Sequence, residues 1–307
     1  MYDLIILGGG PAGTSAAVYS ARKQLKTAII IKEFGGQSIV SETIYNWIGT
    51  PEISGADLGK NLEKHVLYYK GEYLDILKGE TANEIIKDGQ NFTVKTESGK
   101  EYNTKSILVA TGSSRRKLQA INADEYEYKG ITYCASCDGP MFANMDVIVI
   151  GGGNAAFESS AQLLAYCKSV TLIHRRDEFR ADEITIKKVM ANPKFKVITN
   201  ANITRVDGEQ FVKSLTYKDK NTGEEYTIET AGIFVEIGQI PNTDFMKDIV
   251  DLDESNKIIV NPMSQMSSTP GIWAAGDCTN GKYHQNNIAA GDAVKALEDA
   301  YIWLHNK

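Results

Sequence analysis

Two stretches of the chain follow one plan: YDLIILGGGPAGTSAAVYSARK from Tyr2 and DVIVIGGGNAAFESSAQLLAY from Asp146. In each, an apolar β-branched run breaks at a cluster of glycines and gives way to an alanine-rich helical stretch. A strand that turns through glycine into a helix leaves free backbone N–H groups at the helix start, where a phosphate is favoured. Each stretch then leads to another strand-like run, TAIIIK at 27–32 and SVTLIH at 169–174, as a parallel βαβ unit requires. The repeat predicts two dinucleotide sites in one α/β chain.

With 307 residues, 42% of them hydrophobic, the chain can fill two cores without disulfide or metal staples. Short strand-like pieces between 79 and 110, including NFTVKTESGKEY, predict an antiparallel meander capped by the apolar run SILVA. A similar pattern at 196–237 ends in AGIFVEIG. After Gly238 no third nucleotide motif begins. The run GIWAAGDC (271–278) and a closing helix from about Asn286 to Leu304 fit better as a return to the first domain. The expected architecture is therefore α/β, with two Rossmann-like, doubly wound nucleotide-binding domains that each carry a small antiparallel β meander. A discontinuous first domain, 1–115 with 242–307, is interrupted by a second at 116–241, with SSRRK and GQIPN as the two strands of a hinge.

The net charge of −6 supplies no basic footprint for a nucleic-acid backbone. The opening MYDLIILGGG has no basic segment or small-residue cleavage site of a signal peptide, and the longest apolar runs fall far short of the ~20 residues of a membrane span. These features predict a soluble, cytoplasmic protein with neither nucleic acid nor membrane as partner.

The two sites differ in chemistry. Gly8, Gly10 and Gly13, with Pro11 and Ala12 between them, form G-x-G-x-x-G directly after the first strand, and Glu33 follows about 20 residues later, spaced to accept hydrogen bonds from an adenosine ribose. The second loop reads Gly151, Gly153 and Ala156, enclosing Asn154 and Ala155, with alanine in place of the last glycine. Its second strand ends in HRRDEFRAD instead of an acid. Arg175, Arg176 and Arg180, after His174, bring fixed positive charge to where the ribose 2′-hydroxyl lies, and guanidinium forks suit a phosphate there. That favours NADP over NAD.

Two thiols stand two residues apart in ITYCASCDGP, at Cys134 and Cys137. A zinc clip wants four ligands, the remaining cysteines (Cys167 and Cys278) are isolated, and the four histidines show no paired spacing, so no metal is expected. An inert pair is possible. A Cys-X-X-Cys turn nevertheless lowers a thiol pKa and permits ready disulfide exchange, so a redox pair beside two nucleotide sites is the stronger reading. Asp138, next in the chain, suits proton transfer to a departing thiolate.

Taken in order, GGGPAG, FGGQ, YNWIG, ATG, CASCDG, GGGNAA, HRRDEFR, IGQIPNT, AAGDC and YHQNNIAAG resemble, nearly end to end, the low-molecular-weight bacterial-type thioredoxin reductases and the closely related flavoprotein component of alkyl hydroperoxide reductase. The resemblance implies FAD in the first site and NADPH in the second. By position it implies that Gly8, Gly10, Pro11, Ala12, Gly13, Glu33, Gly36, Gln37, Asn46, Thr111, Gly112, Gly276, Asp277 and Gln285 surround FAD. It places Gly151, Gly153, Asn154, Ala155, Ala156, His174, Arg175, Arg176, Arg180 and Gly238 around NADPH. The implied activity is that of an NADPH-dependent thioredoxin-disulfide reductase: hydride passes from NADPH to FAD, then to the Cys134–Cys137 disulfide, and the dithiol reduces a disulfide on thioredoxin. Cys137 is implied to lie nearer the flavin; which sulfur attacks the partner stays open. The alternative customer is a peroxiredoxin or glutaredoxin-like protein. The chain begins its FAD strand at residue 3, without the extra N-terminal redox domain of the peroxide-linked flavoprotein, which together with HRRDEFR weighs toward thioredoxin. Members of the family are commonly homodimers, and the shared placement of disulfide and NADPH loop implies a hinge motion that presents each to the flavin in turn.

Overall fold

The computed structural model describes residues 1–41 and 43–306. In chain order, β1 (Leu4–Leu7), α1 (Pro11–Arg22), β2 (Thr27–Ile31), α2 (Gly55–Tyr68) and β3 (Leu74–Lys78) open the fold. A hairpin series follows, β4 (Ala82–Asp88), β5 (Asn91–Thr96) and β6 (Glu101–Thr104), and then β7 (Ile107–Val109). β8 (Ser113–Arg115) leads to β9 (Ile131–Thr132), α3 (Ala135–Asp138), β10 (Asp146–Ile150), α4 (Asn154–Leu163), β11 (Ser169–Ile173), α5 (Glu183–Met190) and β12 (Phe195–Ile198). A second hairpin series, β13 (Ala201–Gly208), β14 (Val212–Asp219) and β15 (Glu225–Glu229), precedes β16 (Gly232–Val235) and β17 (Gln239–Pro241). The chain closes through β18 (Ile272–Ala274) and α6 (Asn286–His305).

These elements form two compact units, Met1–Ser114 with Ile240–Lys307, and Arg115–Gln239. In the first, a parallel sheet runs β18-β7-β1-β2-β3. Its central strands are apolar on both faces because both are covered. Leu4 and Ile6 pack with Ala12, Ala16 and Ala17 of α1 and Ala293, Ala296 and Ala300 of α6. Ile5 and Leu7 point the other way, into a core shared with Phe92 and Val94 of the β4-β5-β6 meander. Alternate residues of one strand therefore hold a helical layer and a β layer. The alanines let α1 and α6 approach closely.

The second unit repeats the scheme with order β12-β11-β10-β16-β9. Val147 and Val149 face Ala156, Phe157 and Leu163 of α4, while Ile148 and Ile150 face Val206 and Leu215 of the β13-β14-β15 meander. The meander begins later than the pattern over 196–237 predicts. Phe195–Ile198 is a parallel strand of the main sheet, with Val170 opposite Phe195. A strand of four residues is too short for its pattern to separate the two settings, and only its pairing partner decides. Among the described residues, no helix is long and apolar enough to cross a membrane.

Candidate functional site

In both sheets, strand order reverses beside the strand that ends in glycine, which puts the ligand crevice of an open α/β sheet at the carboxyl ends of β1 and β10. In the first unit the glycines divide by what presses on them. A Cβ on Gly8, at φ +115°, would lie 2.2 Å from the Ala110 carbonyl oxygen, and one on Gly13 would lie 1.9 Å from the Gly8 carbonyl oxygen. Both hold the start of α1 against the sheet. Gly10 is different: its Cβ would meet nothing nearer than Gly36 Cα at 3.8 Å. The open space at this turn suits close approach of a phosphate to the α1 N-terminus, where Pro11 occupies the first turn and forfeits no hydrogen bond. The residues present thus fit a dinucleotide such as FAD.

Other expected residues of this unit gather at the same end of the sheet. Gly36, in left-handed conformation at φ +57°, faces Gly10, with its added Cβ 3.2 Å from Gly10 Cα. Gly276, just beyond β18, stands against Ala12 and Ala289, so the C-terminal segment meets the first turn of α1. Asn46 Nδ2 donates to Gln285 Oε1 (3.0 Å), and Asn287 Nδ2 donates to the Asn46 carbonyl (2.7 Å). Asp277 receives His284 Nδ1 at 3.4 Å, while Lys257 Nζ donates to Nε2 of the same ring (2.8 Å). Thr111 and Gly112 are clasped by Asn242: Thr111 Oγ1 donates to its carbonyl, its Nδ2 donates to the Thr111 carbonyl, and its N–H donates to the Gly112 carbonyl. The Glu33 backbone abuts the loop, its carbonyl oxygen lying 2.3 Å from where a Cβ on Gly9 would fall. Its side chain and that of Gln37 are exposed.

In the second unit, Gly151 is confined by the Glu236 carbonyl, 2.5 Å from an added Cβ, whereas a Cβ on Gly153 would meet nothing within 4 Å. Again one glycine permits packing and the other leaves room for a ligand at a helix start. Ala156 is fully buried, so this turn holds α4 far enough from β10 to admit the methyl that Gly13 forbids in the first unit. Asn154 Oδ1 accepts the Asp182 N–H (2.8 Å), and Arg180 N–H donates to the Gly152 carbonyl (2.8 Å). The HRRDEFRAD loop is thereby tied to the glycine turn. Ala155, Arg175, Arg176 and Arg180 are exposed on this rim.

His174 lies over Gly152, whose added Cβ would sit 2.4 Å from the ring. Burial holds its pKa below the usual histidine value, and the charges of Arg176, Arg175 and Lys220 push the same way, so the ring stays neutral near pH 7. Lys220 was not expected. It arrives from the turn after β14 and donates to the Arg175 carbonyl at 2.5 Å. Gly238, at φ +101°, accepts the Arg116 N–H with its carbonyl (3.2 Å), and its position is set by this backbone pairing.

Cys134 and Cys137 are joined in a disulfide. Cys134 is the residue preceding the single-turn helix α3, and the Cys137 N–H lies 3.2 Å from its Sγ. Both are half-buried, whereas Cys167 and Cys278 are buried free thiols whose pKa values burial pushes up to about 11. Those two are poor nucleophiles at neutral pH. Asp138 is tied to Thr132, whose hydroxyl donates to its carboxylate. Burial raises the Asp138 pKa against the opposing effect of that bond. Tyr133, beside Cys134, donates to Glu127, which also pairs with Lys117 at 3.0 Å.

The family model described as pyridine nucleotide-disulphide oxidoreductase matches residues 2–293. The chain is 38% identical over 306 residues to the F subunit of the alkyl hydroperoxide reductase of Xanthomonas campestris pv. phaseoli, covering 99% of this chain and 57% of that protein. It is 36% identical over 303 residues to a protein of Bacillus subtilis (strain 168) named NADH dehydrogenase, covering 99% of this chain and 58% of the relative. This chain therefore spans less than two thirds of either curated relative. A solved structure, the thioredoxin reductase of Streptococcus pyogenes MGAS5005, superposes with a TM-score of 0.93 at 32% identity over 100% of this chain and 99% of that one.

Proposed function

The chain belongs to the pyridine nucleotide-disulphide oxidoreductase family, and from that premise we propose that it is an NADPH-dependent, FAD-containing reductase of a thioredoxin-type protein disulfide. The observation that carries the reading is the Cys134–Cys137 disulfide in the same unit as a glycine turn with an arginine-lined rim. The first unit would hold FAD, with its phosphates at the Gly8–Gly13 turn and Asp277, Asn46, Gln285 and Thr111 offering polar contacts to the rest of the group. Bound there, FAD supplies two-electron transfer between nucleotide and disulfide. In the second unit, Gly153 and the α4 start receive the NADPH diphosphate, and Arg175, Arg176 and Arg180 receive the 2′-phosphate.

Reduction of the pair breaks the S–S bond and yields two thiols. One, as thiolate, attacks a sulfur of the partner's disulfide and forms a mixed disulfide. The second then displaces the partner, which leaves with two thiols while Cys134 and Cys137 return to the disulfide. The Cys137 N–H would support a thiolate on Cys134. Asp138 is suited to carry the proton, because burial raises its pKa toward the range in which it both gives and takes one. The buried thiols of Cys167 and Cys278 fit work in a reducing, cytoplasmic setting.

The 38% identity to a component of an alkyl hydroperoxide reductase favours a second customer for the same chemistry, a peroxiredoxin. NADPH oxidation by the FAD-loaded protein with oxidised thioredoxin, a peroxiredoxin or a glutaredoxin-like protein as acceptor separates these readings. Thioredoxin as the fastest acceptor is expected, and turnover confined to the peroxiredoxin would replace the first reading with the second.

A further inference from the structure

We propose that Glu236 is a binding residue for the nicotinamide riboside half of the dinucleotide, to which its neutral carboxyl donates a hydrogen bond, with Ser159 as its positioning residue. The proposal rests on the reading of the second unit as a pyridine-nucleotide site. Its geometry begins with the sheet. β10 lies between β11 and β16, and α4 connects β10 to β11, so strand order reverses between β10 and β16. A dinucleotide laid over that reversal places its two halves on opposite sides of β10. Arg175, Arg176 and Arg180 follow β11 and claim the adenosine half. The nicotinamide half therefore falls over the end of β16, and Glu236 is the residue just beyond that strand.

The backbone of Glu236 abuts the glycine turn. Its N–H donates to the Ile150 carbonyl (2.8 Å), and its own carbonyl stands 2.5 Å from where a Cβ on Gly151 would lie. The Ser159 hydroxyl, in the second turn of α4, donates to Oε1 at 2.6 Å. Ser159 thus holds Oε1, and Oε2 is assigned to the ligand.

The charged groups that act on this carboxyl are Arg115 of β8 and Glu158 of α4. Burial pushes the Glu236 pKa up to about 7, Glu158 adds to the rise, and Ser159 and Arg115 oppose it. Near neutrality the group changes charge readily. The incoming dinucleotide carries anionic phosphates, so it favours the protonated form, which adds no repulsion and offers an O–H to a ribose hydroxyl or the carboxamide oxygen. An ionised carboxylate at the same place weakens binding. Sequence pattern does not single out Glu236, because it stands just outside the IGQIPNT motif and its serine partner is 77 residues away.

The test is calorimetric binding of NADP⁺, and of NAD⁺ as a control without the 2′-phosphate, to the oxidised FAD-loaded protein between pH 6 and 8. For the unaltered protein the dissociation constant should rise by up to about tenfold across this range, the limit in which only the neutral carboxyl binds. Glu236→Gln keeps a neutral donor and should bind at pH 8 about as tightly as the unaltered protein does at pH 6, with the rise abolished. Glu236→Ala, folded by circular dichroism, should bind weakly at every pH. Ser159→Ala should move the midpoint to higher pH. Identical pH profiles for the unaltered protein and Glu236→Gln overturn the assignment and leave the nucleotide site standing. Failure of the unaltered protein to bind either nucleotide overturns both.

Discussion

The glycines at positions 10 and 13 stand three residues apart in one motif, yet the structure predicts that their alanine variants fail in different ways. In Gly13→Ala the new Cβ would lie 1.9 Å from the Gly8 carbonyl oxygen and 2.8 Å from the Gly8 carbonyl carbon. Ordinary contact needs about 3.5 Å, so α1 must retreat from β1 by more than about 1 Å. No side chain can turn aside, because both obstacles are backbone. Overpacking in a core costs about 1–3 kcal/mol where side chains can adjust, and this site should lie at or above the upper end, about 3 kcal/mol. In Gly10→Ala the backbone already has φ −75° and ψ −174°, extended values open to any residue, and the nearest atom is 3.8 Å from the new Cβ. The protein without FAD should therefore keep its stability to within about 1 kcal/mol. Its FAD affinity should nonetheless fall by about tenfold or more, since the methyl occupies space meant for the diphosphate. Urea unfolding of the FAD-stripped variants, followed by FAD fluorescence titration, reads the two effects separately. If Gly13→Ala is as stable as the unaltered protein, or if Gly10→Ala is destabilised as much as Gly13→Ala, the division of the motif into a packing glycine and a ligand glycine is wrong.

Replacing Arg175 and Arg176 together by alanine should raise KM for NADPH by about 100-fold or more and that for NADH by less than about threefold, since each charge-assisted bond to phosphate is worth about 1.5–3 kcal/mol. An equal loss for both nucleotides would remove the 2′-phosphate from this rim. Asp138 has a folded-state pKa above its unfolded value, so the native state binds that proton more tightly and stability falls as pH rises from about 4 through the folded value. Asp138→Asn should lack that decline while slowing reduction of a partner disulfide; thermal unfolding across pH 3–8 and acceptor turnover check the two halves. Glu80 behaves in the opposite sense: Lys100, Ser98 and Thr96 hold its pKa down to about 2, so its stabilisation is present above about 4.3 and is lost as pH falls toward 2. A Glu80→Gln variant should show a shallower acid transition, visible by circular dichroism.

Features that depend on neighbours in sequence were legible before the fold was known. The apolar runs of β1 and β10 stop at glycine because the chain must turn under a carbonyl oxygen, and the closing helix declares itself through its alanine periodicity. What was not legible depends on chain segments brought together by tertiary structure. The middle glycines, Gly9 and Gly152, look interchangeable with any small residue until the Glu33 carbonyl and the His174 ring are seen against them. Asn242 is an ordinary turn residue in the sequence, and only the fold shows it clasping Thr111 and Gly112 from 131 residues away. Lys220 belongs by pattern to a surface hairpin, and its place beside Arg175 follows from how the meander packs on the sheet. The pattern over 196–237 draws β12 into the meander for a related reason: four residues, FKVI, with one exposed lysine among apolar neighbours suit an edge strand of either kind.

The mechanism requires that electrons from the nucleotide reach the Cys134–Cys137 pair. Its most direct test adds one equivalent of NADPH to the oxidised FAD-loaded protein without oxygen, alkylates under native conditions, and locates the label by mass spectrometry. Label is expected on Cys134 and Cys137, with Cys167 and Cys278 unlabelled because they are buried. Consumption of NADPH with the Cys134–Cys137 disulfide intact and no label on either residue would contradict it.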